Sequence, residues 1–214
     1  MPRAGLTPDR VTLGAAELAD EIGFDAVTIS AVARRFGVQV ASLYSHVAGS
    51  RDLQQRVAVL ALDEIADRGT PALAGKSGRD ALAALGDAYR DYARRHPGRY
   101  AATRFPLEPD ESAARAGARH AELMLAVLHG YALTGDEATH ATRLLGSMIH
   151  GFIALELSGA FDHRDPRPEQ SWSRALDALD GVLRGWATTP PDDPATRSEP
   201  SAHRRAHPRD ETDR

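Results

Sequence analysis

Residues 28–53 read TISAVARRFGVQVASLYSHVAGSRDL, and the order of small, apolar and polar residues in this stretch decides the fold. Thr28 predicts the cap of a short helix with Ile29, Val32, Ala33 and Phe36 on one face. Gly37 interrupts that helix, where a glycine takes positive φ without a Cβ clash. A second short helix is expected from about Gln39 to Val47, with Leu43 and Val47 inward. Gly49 ends it, and Ser50 caps a further helix carrying Leu53, Val57, Leu60 and Ile65. Two short helices around a tight turn are helix-turn-helix geometry: the first braces, and the second presents its outer face to a DNA major groove. The outward set is Gln39, Val40, Ala41, Ser42, Ser45 and His46. Gln39 suits the edge of an adenine, and Val40 and Ala41 suit a thymine methyl. Ser42, Tyr44 and His46 have groups that reach phosphate oxygens, and the helix starts at Thr28 and Ser50 offer N–H groups to phosphates. The same spacing also occurs in helical proteins that never touch DNA, so spacing by itself leaves both readings open.

Outward from this stretch the pattern stays helical. Thr7-Pro8 marks a helix start, Val11, Ala15, Leu18 and Ile22 recur at helical spacing, and Gly23 supplies a stop. Downstream, residues 69–78 read as a loop rich in Gly, Pro and Ser. An amphipathic helix with Leu82, Leu85, Tyr89 and Tyr92 follows, stopped at Pro97, and a short helix is expected around Arg99 to Phe105. A long helix from about Glu111 to Tyr131 has His120, Met124, Val127, Leu128 and Tyr131 on its apolar face. After the turn at Thr134-Gly135 comes a helix from about Glu137 to Leu157. The last helix carries a stripe of Trp172, Leu176, Leu179, Leu183 and Trp186. Beyond Thr189 the chain is Pro-rich, charged and nearly free of large apolar residues, which predicts a disordered tail.

Composition bounds the function. The 214 residues contain no cysteine, which excludes disulfides, thiolate nucleophiles and thiolate metal sites and fits a reducing cytoplasm. No secretory pattern opens the chain, and no apolar run approaches the ~20 residues that span a bilayer. The net charge of −4 does not announce a nucleic-acid binder. Before Ser50, Arg3, Arg10, Arg34 and Arg35 stand against Asp9, Glu17, Asp20, Glu21 and Asp25. Lys76 is the sole lysine.

The ordered run, with the preceding helix and GFDAVT, resembles the DNA-binding head of the TetR family of regulators over roughly residues 8–53. The matching features are Gly23-Phe24, Thr28, Ala33, Gly37-Val38, Leu43-Tyr44, His46-Val47 and Arg51-Asp52-Leu53. The resemblance implies that Thr28 and Tyr44 bind phosphates, and that Gln39, Val40, Ala41, Ser42, Ser45 and His46 face the groove. Many members carry lysine phosphate clamps just after the recognition helix. Here those positions are Ala48, Gly49 and Ser50, with Arg51 as a partial substitute. A shallow salt dependence of DNA binding is therefore expected. The stretch LLGSMIHGFIALELSG, residues 144–159, further resembles a C-terminal subtype built around a Trp/His-Gly step, here Ile149-His150-Gly151.

The expectation is an all-α protein: an N-terminal three-helix bundle with the helix-turn-helix in residues 1–50, a larger helical ligand-binding and dimerisation domain in 51–189, and a tail in 190–214. Apolar residues on nearly all sides from Leu144 to Leu157, with Gly146, Ser147, Gly151 and Ala154, suit a homodimer. A pseudo-palindromic operator on double-stranded DNA calls for such a pair. The family resemblance implies an effector held inside the body, with Tyr89, Tyr92, Phe105, Met124, Leu128, Met148 and Phe152 as candidate lining, although each also fits plain core. His120 and His129, and His140 and His150, lack the i, i+4 spacing of a metal pair, so neither metal nor cofactor is expected. No HExxH, phosphate-binding glycine loop or nucleophile elbow points to an enzyme; a site around Glu156, Asp162 and His163 is the weak alternative. The function expected is a cytoplasmic, ligand-responsive repressor, released from its operator by an unknown small molecule. A ligand-independent dimeric DNA-binding regulator is the alternative.

Overall fold

A computed structural model describes residues 5–186, and the expected tail at 190–214 lies outside them. Among the described residues every regular element is helical: α1 (Pro8–Ile22), a 3-10 turn at Phe24–Ala26, α2 (Ile29–Phe36), α3 (Val40–Leu43), α4 (Ser50–Leu73), α5 (Gly78–Arg95), α6 (Pro97–Ala102), α7 (Glu111–His129), α8 (Gly135–Leu157) and α9 (Pro168–Trp186).

The caps form as the sequence directs. Thr7 Oγ1 accepts the Arg10 N–H at 3.2 Å, and Thr28 Oγ1 accepts the Ala31 N–H at 3.1 Å. Gly37 ends α2 at φ 64°, and the Val38 N–H reaches back to the Ala33 carbonyl at 3.0 Å. The recognition element is shorter than expected. α3 is a single turn, after which the backbone tightens as the His46 and Val47 N–H groups both bond the Leu43 carbonyl. Leu43 and Val47 point inward all the same, at 0% and 2% exposure. Ile22, expected inward, is exposed, because α1 ends there and the chain turns away at Gly23.

Two apolar cores form. The head core joins Val11, Ala15, Phe24, Ile29, Val32, Leu43 and Val47 to Leu53, Val57 and Ala58 of α4 and to Ala102 of α6. The body core joins Ile65 and Ala66 of α4 to α5, α7, α8 and α9. At 24 residues, α4 spans about 36 Å and enters both cores. The loop expected over residues 69–78 is mostly helix, since α4 continues to Leu73. Gly69 lies so close to α7 and α5 that a Cβ there would stand 2.8 Å from Leu123 Cδ1 and 3.3 Å from Leu85 Cδ1. Tertiary approach of helices explains this glycine, and no turn is needed. Pro71 is accommodated in the final turn.

Pro97, read as a stop, also starts α6, at the position where its missing N–H has no intrahelical partner to lose. α6 crosses α1 at van der Waals limit: a Cβ on Gly98 would stand 1.9 Å from the Ala19 carbonyl oxygen.

Candidate nucleic-acid interface and interior polar site

Gln39 caps α3 through its backbone, leaving the side-chain amide uncommitted to the cap. Gln39, Val40, Ala41, Ser42, Tyr44 and Ser45 are exposed and His46 is half-buried; Gln39, Ser42, Ser45 and His46 share one surface. Ser45 donates to the Ser42 carbonyl at 2.9 Å, so its proton is used locally. Thr28 stands at the exposed start of α2, its oxygen engaged as the cap. A groove separates this surface from the N-terminal segment, bounded by Gly5, Leu6 and Arg10 on one side and Gln39, Ser42, Ser45 and His46 on the other. Arg35 is committed to α1, pairing with Glu17 and Glu21 at 2.8 Å each. Ser50 is exposed at the start of α4, where no side chain caps the helix and Asp52 reaches back to the Ala48 N–H at 2.8 Å. Arg51, one residue on, is turned toward the body and pairs with Glu108.

The body interior holds a polar set that four helices assemble. Tyr89 Oη of α5 lies 2.9 Å from His120 Nδ1 of α7. Tyr100 Oη of α6 lies 2.6 Å from His150 Nδ1 of α8. The Tyr89 and His150 rings meet edge to face with centroids 6.0 Å apart, which joins the two pairs. Arg104 stacks over Tyr100 at 5.5 Å. Burial, reinforced by the charges of Arg104 and His120, pushes His150 down to about 4, and burial also lowers His120. Burial raises both phenols, so at neutral pH the set is uncharged.

Of the interior candidates, Tyr89, Tyr92, Met124 and Leu128 lie in the body core, with Met148 and Phe152 packed against it. Phe105 is not with them. It packs on the head core, edge-on to Phe24 at 5.7 Å, because the chain leaves α6 on the side facing the head. Tyr92 directs its hydroxyl to Glu64 of α4 at 2.7 Å. The same Glu64 pairs with Arg99 at 2.9 Å, and Arg99 donates its backbone N–H to Asp20 of α1 at 2.9 Å. His96 Nδ1 lies 3.1 Å from the same Asp20 carboxylate. Arg99 Nε is 3.0 Å from Asp20 Oδ2 but lacks hydrogen-bond geometry. Glu156, named above with Asp162 and His163 in the enzyme alternative, pairs with Arg90 and Arg94.

Sequence reasoning missed Tyr100, Arg99, Asp20 and Glu108. The available signal was weak: a lone Asp at the end of an amphipathic helix and a charged residue inside a six-residue helix. His120 and His150 were more legible, as imidazoles on otherwise apolar faces.

Residues 12–53 match the family described as bacterial regulatory proteins, tetR family, and residues 82–179 match the tetracyclin repressor-like C-terminal domain. The chain is 39% identical over 166 residues to the uncharacterized HTH-type transcriptional regulator Rv0681 of Mycobacterium tuberculosis, covering 76% of this chain and 75% of that one. It is 32% identical over 184 residues to YobS of Bacillus subtilis, also an uncharacterized HTH-type transcriptional regulator, covering 85% and 95%. Among solved structures it shares the fold of a TetR variant from Acinetobacter baumannii AYE in complex with minocycline. There the TM-score is 0.65 at 23% identity, over 84% of this chain and 98% of that one. It likewise shares the fold of apo ActR from Streptomyces coelicolor, with TM-score 0.63 at 20% identity over 86% and 98%. These matches are to transcriptional regulators and not to enzymes. Among the described residues no helix is long and apolar enough to cross a membrane.

Proposed function

The chain belongs to the TetR family of DNA-binding transcriptional regulators, and from that premise we propose that it is a homodimeric repressor released from its operator by a small molecule. The observation that carries this reading is the double engagement of α6. Tyr100 joins the interior polar set, while Gly98 and Arg99 of the same helix bear on α1 and α4. A ligand that competes for the phenol or imidazole groups re-seats α6, and with it the helices that hold the head. The coupling is limited to the ligand's differential affinity for the two poses. The effector pocket proposed is the set Tyr89, Tyr100, His120 and His150 with Met124, Leu128 and Met148 around it. The ligand-independent reading draws support from one fact: both phenols already have imidazole partners.

The DNA contacts proposed are Gln39, Val40, Ala41, Ser42, Ser45 and His46 to the groove, and Thr28, Tyr44, Ser50 and Arg51 to the backbone. Anisotropy titrations against duplexes from the gene's own upstream region test this. Gln39→Ala is expected to cost about 1–3 kcal/mol on the preferred sequence and little on random DNA. Equal losses on both would remove Gln39 from base reading. Absence of salt-sensitive, sequence-dependent binding by the unaltered protein would sink the function. A compound that raises the melting temperature and releases DNA, with both effects lost in Tyr100→Phe and His150→Phe, is the expected effector signature.

Dimerisation is proposed through α8 and α9. Leu144, Leu155 and Leu157 on α8 and Val182 on α9 are exposed, at 37–51%. Gly146, Gly151 and Gly181 have open space where a Cβ would stand, so among the described residues nothing packs onto these positions. Leu155→Glu is expected to convert the dimer to monomer in sedimentation and to abolish high-affinity operator binding, because one recognition helix reads only a half-site. A Leu155→Glu protein that remains dimeric would move the interface elsewhere.

A further inference from the structure

The chain between α6 and α7 is laced to the first two turns of α4. Arg51 Nε lies 2.5 Å from Glu108 Oε1, and its terminal nitrogen lies 3.5 Å from the Pro106 carbonyl. The guanidinium covers the Phe105 ring at 5.3 Å. Gln55 accepts the Glu108 N–H at 2.9 Å and donates to the Glu108 carbonyl at 3.3 Å and to Asp110 at 2.5 Å. Ala48, Gly49 and Asp52 border the same cleft, so it opens beside the end of the recognition element.

Residues 39–50 contain no arginine or lysine, and Arg51 is the first such cation after the recognition helix. Its side chain is 57% exposed and that of Glu108 is 61% exposed, so the pair is open to solvent and to a competing anion. A carboxylate and a phosphate diester offer a guanidinium the same paired oxygens. An exposed ion pair contributes at most about fivefold to an equilibrium constant, whereas a phosphate contact is driven by counterion release from DNA. The exchange therefore runs toward phosphate, and Glu108 attenuates without blocking.

We propose that Glu108 is an internal stand-in for a DNA phosphate: it holds Arg51 in the free protein and yields it to the backbone when the head docks. The proposal rests on the DNA-binding reading of the head. It makes DNA affinity sensitive to the 105–110 segment, because displacing that segment frees Arg51 without touching the recognition surface. The backbone bonds to Gln55 keep the segment in place after the exchange.

The test uses the full chain and a labelled duplex enriched from a random-sequence library by the unaltered protein, titrated over a series of KCl concentrations. Glu108→Gln is expected to tighten binding about two- to fivefold, most at low salt. Arg51→Ala is expected to weaken it and to lower the log–log salt slope by about one. In the Arg51→Ala background the gain from Glu108→Gln is expected to vanish. Glu111→Gln, the same charge change at a nearby exposed site, is expected to give no comparable gain. A Glu108→Gln protein that binds like the original overturns the proposal. So does a gain that persists without Arg51, or one that Glu111→Gln reproduces. An unaltered protein that enriches no duplex overturns the DNA-binding reading and the proposal together, while binding that is indifferent to Glu108 overturns the proposal alone.

Discussion

Replacing Gly98 by alanine is expected to destabilise the protein by about 3 kcal/mol and to weaken operator binding along with it. The added Cβ would stand 1.9 Å from the Ala19 carbonyl oxygen, 2.1 Å from its carbonyl carbon and 2.6 Å from the Asp20 nitrogen. Each of these is a backbone atom, so no side-chain rotation relieves the clash. Gly14 is the useful contrast: a Cβ there would meet the ring of half-buried Phe36, which can turn. Separating α6 from α1 also stretches the Asp20 bonds to the Arg99 N–H and to His96. At about 2–4 °C per kcal/mol, the melting temperature should fall by roughly 6–12 °C. Gly117→Ala is the control, since nothing lies within 4 Å of a Cβ there. In that exposed helix interior alanine should stabilise by about 0.5–1 kcal/mol. A Gly98→Ala protein that melts with the original would show that α6 moves away from α1 at no cost, and would remove the link on which the proposed release depends.

What the sequence made legible follows from locality. Thr28, Gly37 and Pro8 act on their own turn of chain, and the structure has a cap, a left-handed turn and a helix start at those positions. The stripe from Trp172 to Leu183 is buried because its period alone places it on one face. Gly69 and Gly98 show where locality ends. Both look like turn residues, yet they serve helix crossings whose partners lie tens of residues away. The Tyr100–His150 and Arg51–Glu108 pairs join positions 50 and 57 residues apart, and no spacing rule reaches that far. The family resemblance implies an interior lining that includes Phe105, but the direction in which the chain leaves α6 puts it on the head. Four of the DNA-facing candidates, residues 39–42, are contiguous in the chain and needed only the helix turn to come together; the interior site needed four helices to pack.

The largest electrostatic loss is expected from Glu156→Ala. Arg90 and Glu156 join α5 to α8 with side chains only 7% and 10% exposed. Arg90 Nε donates to Glu156 Oε2 at 2.8 Å, a second bond forms through its terminal nitrogen, and Arg94 donates to the same carboxylate at 2.8 Å. The Arg90 guanidinium also faces Trp172 and Phe152 at 5.4 Å and 5.8 Å, so little of it reaches water. Removing the carboxylate leaves that cation with Glu169 at 3.7 Å, which is itself mostly exposed and shared with Arg94. The expected cost is about 3–5 kcal/mol, whereas Arg90→Met with Glu156→Leu should recover most of it, because removing both charges also removes both desolvation penalties. The pH dependence separates this pair from the histidines. Burial opposes the Glu156 charge, but the bonds and charges of Arg90 and Arg94 outweigh it and hold the carboxyl below its ordinary value of 4.5. Its stabilisation is therefore complete above pH 4.5 and lost as pH falls through the depressed folded value. His150, at about 4 when folded against 6.5 when unfolded, acts earlier: between those values the unfolded chain takes up a proton that the folded chain refuses, and stability drops. Thermal melts across pH should show two successive acid limbs, with Glu156→Ala reducing the lower, to which the lowered Asp110 and Glu169 also contribute, and leaving the upper. Loss of the upper limb in Glu156→Ala would mean that the buried ion pair and the interior imidazoles titrate as one unit, and that α8 carries a single electrostatic switch in place of two.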